Sequence, residues 1–92
     1  APIVALNRAV AVAELDGPAI GLDEVDRLAE PLADFHLFHS ARGDMLRRLG
    51  RVDDAATAYD RALELAGNAT EREFLIGRRE SLAELREYPP LR

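Results

Sequence analysis

Residues 39–67, HSARGDMLRRLGRVDDAATAYDRALELAG, contain two helical patterns separated by a glycine. Apolar residues recur every three or four positions on both sides of Gly50, which is the spacing of one helix face. Two arginines precede Gly50 and two aspartates follow it, as the dipoles of an ending and a starting helix favour. We therefore predict a helical hairpin over residues 34–66, with Gly50 in the left-handed conformation just past its first helix.

A second hairpin is predicted before this one, over residues 2–30. Pro2 suits a first helical turn, and the tripeptide DGP at residues 16–18 indicates a stop followed by a new start. Pro31 ends the helical pattern. After the central hairpin, a single capping helix is predicted over residues 69–87.

The capping helix is expected to start near Asn68 or Thr70, where Thr70 and Glu73 fit a capping box, and to end at Tyr88-Pro89-Pro90. Its sequence is rich in charged residues, as at the solvated end of a repeat stack. The chain shows no sustained alternation of apolar and polar residues, which a strand would require. We therefore predict an all-α fold of about five helices, with residues 1–92 forming one helical repeat domain.

A regular period in the sequence supports a repeat. Ala9, Gly43 and Gly77 are separated by two equal intervals, and each falls inside the first helix of a predicted unit. A glycine inside a helix costs about 1 kcal/mol relative to alanine. We therefore expect a neighbouring helix to approach the two glycines too closely for a β-carbon. The short connections make consecutive helices antiparallel neighbours.

The central hairpin resembles a tetratricopeptide repeat, a 34-residue helix–turn–helix pattern with small and aromatic residues at fixed positions. The residues that match this pattern are Gly43, Ala55, Tyr59 and Ala62. His39, Arg42 and Gly67 depart from it, because tryptophan, leucine and proline are usual there. The resemblance implies antiparallel hairpins stacked as a right-handed superhelix, and a role in protein–protein recognition.

The chain also resembles the C-terminal extension of a group of bacterial extracytoplasmic-function sigma factors. The runs PIVALNRAVA at residues 2–11 and FHLFHSAR at residues 35–42 carry this resemblance. In that family, a sigma core of two DNA- and polymerase-binding domains precedes a tetratricopeptide-like extension that regulates the core or is needed for its activity. The resemblance implies a C-terminal fragment of a longer chain. Its implied partners are the sigma core of the same chain, RNA polymerase or a regulatory protein.

Composition restricts the classes of function. The chain has 92 residues, no cysteine and a formal net charge of −5. The negative charge opposes direct binding to nucleic acid or to anionic lipid, and the lack of cysteine excludes disulfides and thiolate metal sites. The longest apolar run contains polar residues and is shorter than the ~20 residues that a membrane span needs. We expect a cytoplasmic protein, since cytoplasmic proteins rarely use disulfides.

No motif predicts catalysis or a bound cofactor. The sequence lacks a nucleophile elbow, a phosphate-binding loop and a zinc-protease motif, so we expect neither enzymatic activity nor a cofactor. His36 and His39 are three positions apart on one predicted helix, a spacing that can place two imidazoles on one metal ion. We expect no metal site, because no third ligand is clearly placed. A metal-binding or enzymatic helical domain would depend on these two residues.

Four polar residues on the first helices form the candidate partner-binding groove. Asn7 and Arg8 interrupt an otherwise apolar helix, while His39 and Arg42 replace the usual apolar residues of the repeat. If the first helices line a concave surface, these side chains are placed to contact a partner segment. The structural alternative for Arg8 is an ion pair with Asp44, since an unpaired charge within an apolar surface is costly.

The first predicted helix is apolar around most of its circumference, and such a helix needs cover on more than one side. We expect its uncovered side to face an upstream helix or a second copy of the chain, so a homodimer through this helix is one prediction. The alternative to a sigma-factor domain is a stand-alone tetratricopeptide-like adaptor that is unrelated to transcription.

Overall fold

The computed structural model describes residues 1–87 and contains five helices joined by short connections. They are α1 (Pro2–Asp16), α2 (Pro18–Asp26), α3 (His36–Arg48), α4 (Val52–Leu65) and α5 (Ala69–Glu87). No strand occurs within these residues, so the predicted all-α helical repeat fold is confirmed. The predicted terminator Tyr88-Pro89-Pro90 lies outside the described residues.

The five helices form two layers. Helix α2 packs against α1 and α3, and α4 packs against α3 and α5. The first helices of the units, α1, α3 and α5, therefore form one layer, and α2 and α4 form the other. The described residues extend over 39 × 32 × 19 Å, and the shortest dimension fits two helices of ~10 Å diameter.

The core lies between the two layers and consists of apolar side chains. Within residues 1–87, no charged side chain is buried in it. Helix α4 contributes a compact face of small residues around one aromatic ring. Its buried residues are Ala55, Ala56, Ala58, Tyr59 and Ala62. Among the helices of this part of the chain, none has both the length and the apolar character needed to cross a bilayer.

The turn between α3 and α4 has the predicted geometry. Gly50 has a φ of +76°, in the left-handed region that favours glycine. Its N–H donates to the carbonyl of Arg47 at 3.0 Å, and the N–H of Arg51 donates to the carbonyl of Leu46 at 2.9 Å. These two bonds form a Schellman motif, which satisfies carbonyls that the helix end would otherwise leave unpaired.

Helix α2 is shorter than predicted. The sequence pattern extends to Glu30, but the helix ends at Asp26. The N–H groups of Leu28 and Ala29 then donate to carbonyls three positions back, which is a tighter turn than the α-helix makes. Pro31 accounts for the early end, because it has no N–H to donate to the carbonyl of Arg27 four positions back, and its ring would clash with that carbonyl in a continued α-helix.

Helix α5 spans Ala69–Glu87, and its N-terminal cap differs from the predicted one. The side-chain oxygen of Asn68 accepts a hydrogen bond from the backbone N–H of Glu71 at 2.8 Å, so Asn68 caps the helix. The predicted capping box of Thr70 and Glu73 is wrong, because Thr70 already lies inside the first turn. Asparagine ranks at least as high as threonine at the cap position, which explains why Asn68 caps the helix.

Close approach of neighbouring helices is confirmed at one of the two predicted glycines. A β-carbon at Gly43 would lie 2.8 Å from the ring of Tyr59. At Gly77 the prediction is wrong, because no described atom lies within 4 Å of such a β-carbon. A close approach that the sequence did not predict occurs between α1 and α2. A β-carbon at Gly21 would lie 2.8 Å from the Cα atom of Ala13.

Candidate functional site

A groove of about 460 Å³ runs along the layer of first helices, between α1 and α3, with α5 at one side. Its lining is apolar over most of its length and charged over the remainder. The apolar lining residues are Ile3, Leu6, Val10, Ala13, Phe35, Leu37, Ala41 and Met45. The polar lining residues are Asn7, Glu14, Ser40, Asp44, Arg47, Arg48 and Arg78. We call this surface the α1–α3 groove.

The apolar surface continues beyond the groove toward α5. A second hollow of about 290 Å³ lies between α3 and α5 and shares Leu37 and Ser40 with the α1–α3 groove. Phe74 lines this hollow and is 55% exposed. Apolar side chains of all three first helices therefore contribute to one face of the molecule, as the resemblance to a tetratricopeptide repeat implies.

Several large apolar side chains in the groove remain in contact with solvent. Ile3 is 52% exposed, Leu37 is 48% exposed and Val10 is 39% exposed, whereas Leu6 on the same helix as Ile3 is 3% exposed. Val4 is also exposed. Helix α1 therefore buries one side against its neighbours, and the described residues leave another side uncovered.

The charged part of the groove lies at the C-terminal ends of α1 and α3. Arg48 donates to the carbonyl of Ala13 at 3.5 Å, and its guanidinium lies 3.6 Å from a carboxylate oxygen of Glu14. Arg78 reaches across from α5, where its Nε lies 3.8 Å from an oxygen of Asp44. With Arg47, the lining contains three arginines and two carboxylates, so this part of an acidic molecule carries a net positive charge.

Tyr59 connects the core of the central hairpin to these charges. Its ring is fully buried, and its hydroxyl donates a short hydrogen bond to Asp44. The same hydroxyl accepts a hydrogen bond from Nε of Arg47 at 3.4 Å. Burial and the bond to Asp44 raise the pKa of Tyr59 to about 12, so the hydroxyl keeps its proton at neutral pH. The core thereby fixes the positions of two charged side chains in the groove.

Two of the predicted groove residues, His39 and Arg42, lie on a different surface. They line a shallow cleft between α3 and α4 with Asp60 and Arg61. The Nε2 atom of His39 lies 2.7 Å from the carbonyl of Ala33, so the ring donates to the connection between the hairpins. This contact within the chain accounts for the position of the His39 ring without a partner protein.

Arg42 has an equally local role. It donates to Asp26 at the end of α2 at 2.7 Å, and this ion pair joins the two hairpins. A matching pair occurs one unit later, where Arg79 on α5 donates to Asp60 on α4 at 2.9 Å. The two aspartates are separated by one repeat period, the same interval that separates Gly43 from Gly77, whereas the two arginines do not occupy equivalent positions. The acidic half of the contact therefore recurs with the repeat.

The other two predicted residues also separate. Asn7 lines the α1–α3 groove, whereas Arg8 is exposed and lines none of the three clefts. The proposed ion pair of Arg8 with Asp44 is wrong, because Asp44 contacts Tyr59 and Arg78. The four residues therefore do not form one surface, and only Asn7 lies where the apolar lining is.

The two histidines point to separate partners. His36 lies 3.1 Å from a carboxylate oxygen of Glu71 on α5, without the alignment of a hydrogen bond. His39 instead contacts Ala33. Within the part of the chain that the structure describes, no three histidine or carboxylate side chains cluster as metal ligands would. The geometry therefore gives no support to the metal-binding alternative.

The residues that dominate the groove were not selected by the sequence analysis. Ile3, Val10 and Leu37 form its exposed apolar part, and Arg47 and Arg48 form its charged part. The all-round apolar character of the first helix was the available signal for Ile3 and Val10. For the arginines, the helix-end position favoured a purely local role, and only the fold shows that α1 ends beside them.

Comparison with known proteins identifies the central repeat. Residues 36–69 match the family model of the tetratricopeptide repeat. Such repeats are generally non-catalytic modules for protein–protein interaction, so the chain carries a protein-interaction motif. The chain is also 46% identical, over 74 residues, to an uncharacterised protein of Rhizobium meliloti (strain 1021). The matched part covers 80% of this chain and 18% of that protein. No solved structure matches the chain.

Proposed function

We propose that this chain, with its tetratricopeptide repeat at residues 36–69, is the regulatory protein-interaction domain of an extracytoplasmic-function sigma factor. In this role the domain modulates transcription initiation through contacts with the sigma core of the same chain, with RNA polymerase or with a regulatory protein. The resemblance of residues 2–11 and 35–42 to sigma-factor extensions supports the assignment. A cytoplasmic location follows from the same proposal, since bacterial transcription takes place there.

The exposed apolar lining of the α1–α3 groove is the observation that carries the protein-interaction part of the proposal. Ile3 and Leu37 are each about half exposed, although the core beneath them is closed. Burying apolar surface contributes about 25 cal/mol per Å², so a protein segment seated here gains free energy from side chains that the domain leaves in water. Contiguous exposed apolar surface of this kind is typical of interaction sites.

The size of the relative supports a place within a larger protein. The chain spans 18% of the length of the protein from Rhizobium meliloti that it matches. A domain in that setting can meet its partner within one polypeptide, where a linker keeps the effective concentration high. The net charge of −5 favours protein contacts over direct contacts with nucleic acid.

The reading frame that contains the codon for Ala1 provides the first test. A sigma factor requires in-frame residues upstream that include a basic helix-turn-helix segment. Where that segment is present, Ile3→Asp in the full protein should change transcription from its promoter in a purified polymerase assay. Ile20→Asp is the matched control, because Ile20 is 50% exposed on α2 and lies outside the groove. A frame without sigma domains would leave the adaptor function instead.

A second copy of the chain is a further candidate partner for α1. Val4 is 54% exposed and does not line the α1–α3 groove, so a partner in the groove would leave it uncovered. A homodimer through this side of α1 would bury it. Sedimentation analysis tests the proposal, because Val4→Asp should convert a dimer into a monomer. A chain that sediments as a monomer at all concentrations would contradict it.

A further inference from the structure

The lining of the α1–α3 groove indicates the chemistry of its occupant. We propose that the groove binds an amphipathic helix whose apolar stripe ends in acidic residues, with those carboxylates placed against Arg47 and Arg48. The inference rests on the proposed function only in taking this groove as the partner-binding surface. It does not depend on the link to sigma factors.

The groove as a whole is long enough for about three helical turns. Helix α1 lines it from Ile3 to Glu14, a length of ~16 Å at the helical rise per residue. Ile3, Leu6 and Val10 recur along this length at intervals of three and four positions. A helix lying alongside offers apolar side chains at the same intervals, which is the usual pattern of helix-in-groove recognition.

The walls of the groove favour a helix over an extended segment. Both long walls are helices, and their backbone N–H and carbonyl groups are bonded within α1 and α3. An extended segment in an apolar groove would have to bury backbone groups without partners, which is costly. A helix satisfies its own backbone and needs only side-chain contacts. The proposal therefore commits to a helical occupant.

Positive charge is concentrated at one end of the groove. Arg48 contacts Ala13 and Glu14, so the C-terminal ends of α1 and α3 lie together. Ile3 and Leu37 belong to the N-terminal turns of the same two helices. The lining thus changes along its length from apolar to cationic. An occupant that matches it has its acidic residues at one end of the stripe only.

The arginines of the groove are less tightly paired than arginines elsewhere on the surface. The contact of Arg48 with Glu14 is 3.6 Å, and that of Arg78 with Asp44 is 3.8 Å. By contrast, Arg51 lies 2.8 Å from its partner Asp54. Each guanidinium has five N–H donors, so loosely paired arginines keep donors for a further carboxylate.

Arg47 differs from Arg48 and Arg78 in the kind of contact that it makes. Its described contact is with the hydroxyl of Tyr59, and no described carboxylate lies within ion-pair distance of it. The buried tyrosine therefore holds a guanidinium at the groove without neutralising its charge. This arrangement favours an acidic ligand, since Arg47 can gain an ion pair without losing one.

The proposal opposes what the overall charge of the chain would favour. A net charge of −5 attracts basic peptides and repels acidic ones at long range. Salt screens such long-range forces over ~8 Å at physiological ionic strength, whereas contacts within the groove are shorter. A preference for acidic peptides would therefore have to come from local arginines, and this makes the sign of the preference diagnostic.

A display library of helical peptides tests the proposal. The peptides carry a fixed apolar stripe and randomised residues at both of its ends, and binders are selected on the immobilised 92-residue chain at physiological salt. We expect aspartate and glutamate to be enriched about fivefold over lysine and arginine at one end of the stripe, with no such preference at the other.

Point variants locate the bound peptides. Arg48→Ala should weaken binding of a selected acidic peptide about threefold to fivefold, while Arg51→Ala, three positions away and outside the groove, should not change it. Ile3→Asp should weaken binding about tenfold or more, and Ile20→Asp should not. Circular dichroism of each variant confirms that the helices remain folded.

The outcomes separate this inference from the proposed function. Binders that show no acidic preference, or a basic one, would overturn the inference and leave the groove as a partner site. A selection without binders, or binders that ignore Ile3→Asp, would overturn it as well. The identity of the upstream reading frame decides the sigma-factor assignment and has no effect on the peptide result.

Discussion

The two hairpins fill equivalent positions with side chains of different size. Val25 in the first hairpin and Tyr59 in the second are one repeat period apart, and both are fully buried. The facing positions on the first helices, Ala9 and Gly43, are separated by the same interval. Where the second helix carries the large ring, the first helix carries a glycine against it. Where the second helix carries valine, the first helix carries an alanine at the equivalent position.

The first hairpin has its tightest glycine contact at a different position. Helix α2 contacts the backbone of α1 where Gly21 meets Ala13. The equivalent of Gly21 in the second hairpin is Ala55, which is buried without needing a glycine. The second hairpin is thus packed around an aromatic ring, whereas the helices of the first hairpin meet through direct backbone contact. The position of each glycine therefore depends on the atoms that it faces, and not on the repeat period alone.

Replacing the large ring should produce the largest effect and test the link between Tyr59 and Gly43. Tyr59→Val, which copies the first hairpin, should lower the free energy of unfolding by about 3 kcal/mol, because it leaves a cavity. Gly43→Ala should cost about 1–2 kcal/mol in the natural chain, where its β-carbon meets the ring. In the Tyr59→Val background the same change should stabilise by about 1 kcal/mol. Urea unfolding of the four proteins measures this coupling, and equal effects of Gly43→Ala in both backgrounds would contradict it.

The first hairpin should be sensitive at a different glycine. Gly21→Ala should lower the free energy of unfolding by about 2 kcal/mol, because the new β-carbon meets backbone that must move. Ala13→Gly in the same chain should recover part of this loss by opening space. Thermal or urea unfolding measures both variants. A neutral Gly21→Ala would show that α1 and α2 separate at low cost.

Alkaline pH should weaken only the hairpin that contains a tyrosine in its core. The pKa of Tyr59 is raised to about 12 by burial and by Asp44, while an unfolded tyrosine titrates near 10. The unfolded chain therefore loses this proton first, and the stabilisation present below pH ~10 is lost as the pH rises toward ~12. By pH ~11 the free energy of unfolding should be about 1 kcal/mol lower.

Tyr59→Phe is the control for this pH dependence and should remove it. The background is favourable, because the chain has no lysine to titrate in this range. A Tyr88→Phe background leaves one tyrosine, so its phenolate absorbance reports the titration directly. An ordinary pKa for that tyrosine would contradict the proposed bond to Asp44.

The smallest effect is expected at the third glycine of the period. Gly77 is exposed inside α5, and no described atom opposes a β-carbon there. Gly77→Ala should therefore stabilise the chain by about 0.5–1 kcal/mol, because alanine is the better helix former. Urea unfolding of the Gly77→Ala variant and of the natural chain measures this difference. A loss of stability would indicate a contact at this position that the described residues do not show.

The fold was predictable because its signals are local. The helical spacing, Gly50 and the prolines each act over a short stretch of chain, and they determined the helices and most of their ends. The end of α2 was missed because its apolar spacing continued past Asp26, while Pro31 prevented the conformation that the spacing favoured. The capping of α5 was missed because two neighbouring polar residues, Asn68 and Thr70, can both cap a helix.

The candidate site was less predictable because it depends on contacts between units. Arg42 and His39 replace the usual apolar residues of the repeat, which favoured a functional interpretation. In the structure, Arg42 instead pairs with Asp26, and His39 contacts the carbonyl of Ala33. These partners belong to the preceding unit and its connection. Conversely, Arg48 looked local until the fold placed α1 beside it. A repeat period predicts which residues are equivalent. Which residues of neighbouring units contact one another becomes known only from the structure.

The ion pair between successive units bears on how repeat units are gained and lost by recombination. Asp26 joins α2 to Arg42 on α3, and Asp60 joins α4 to Arg79 on α5, so each unit carries the acidic half of the link to its successor. Exposed pairs of this kind add little stability, but they specify how successive units meet. A tandem duplication of one whole period would copy this link with the block. Recombination could therefore lengthen or shorten such arrays in whole units, without compensating substitutions at the junctions.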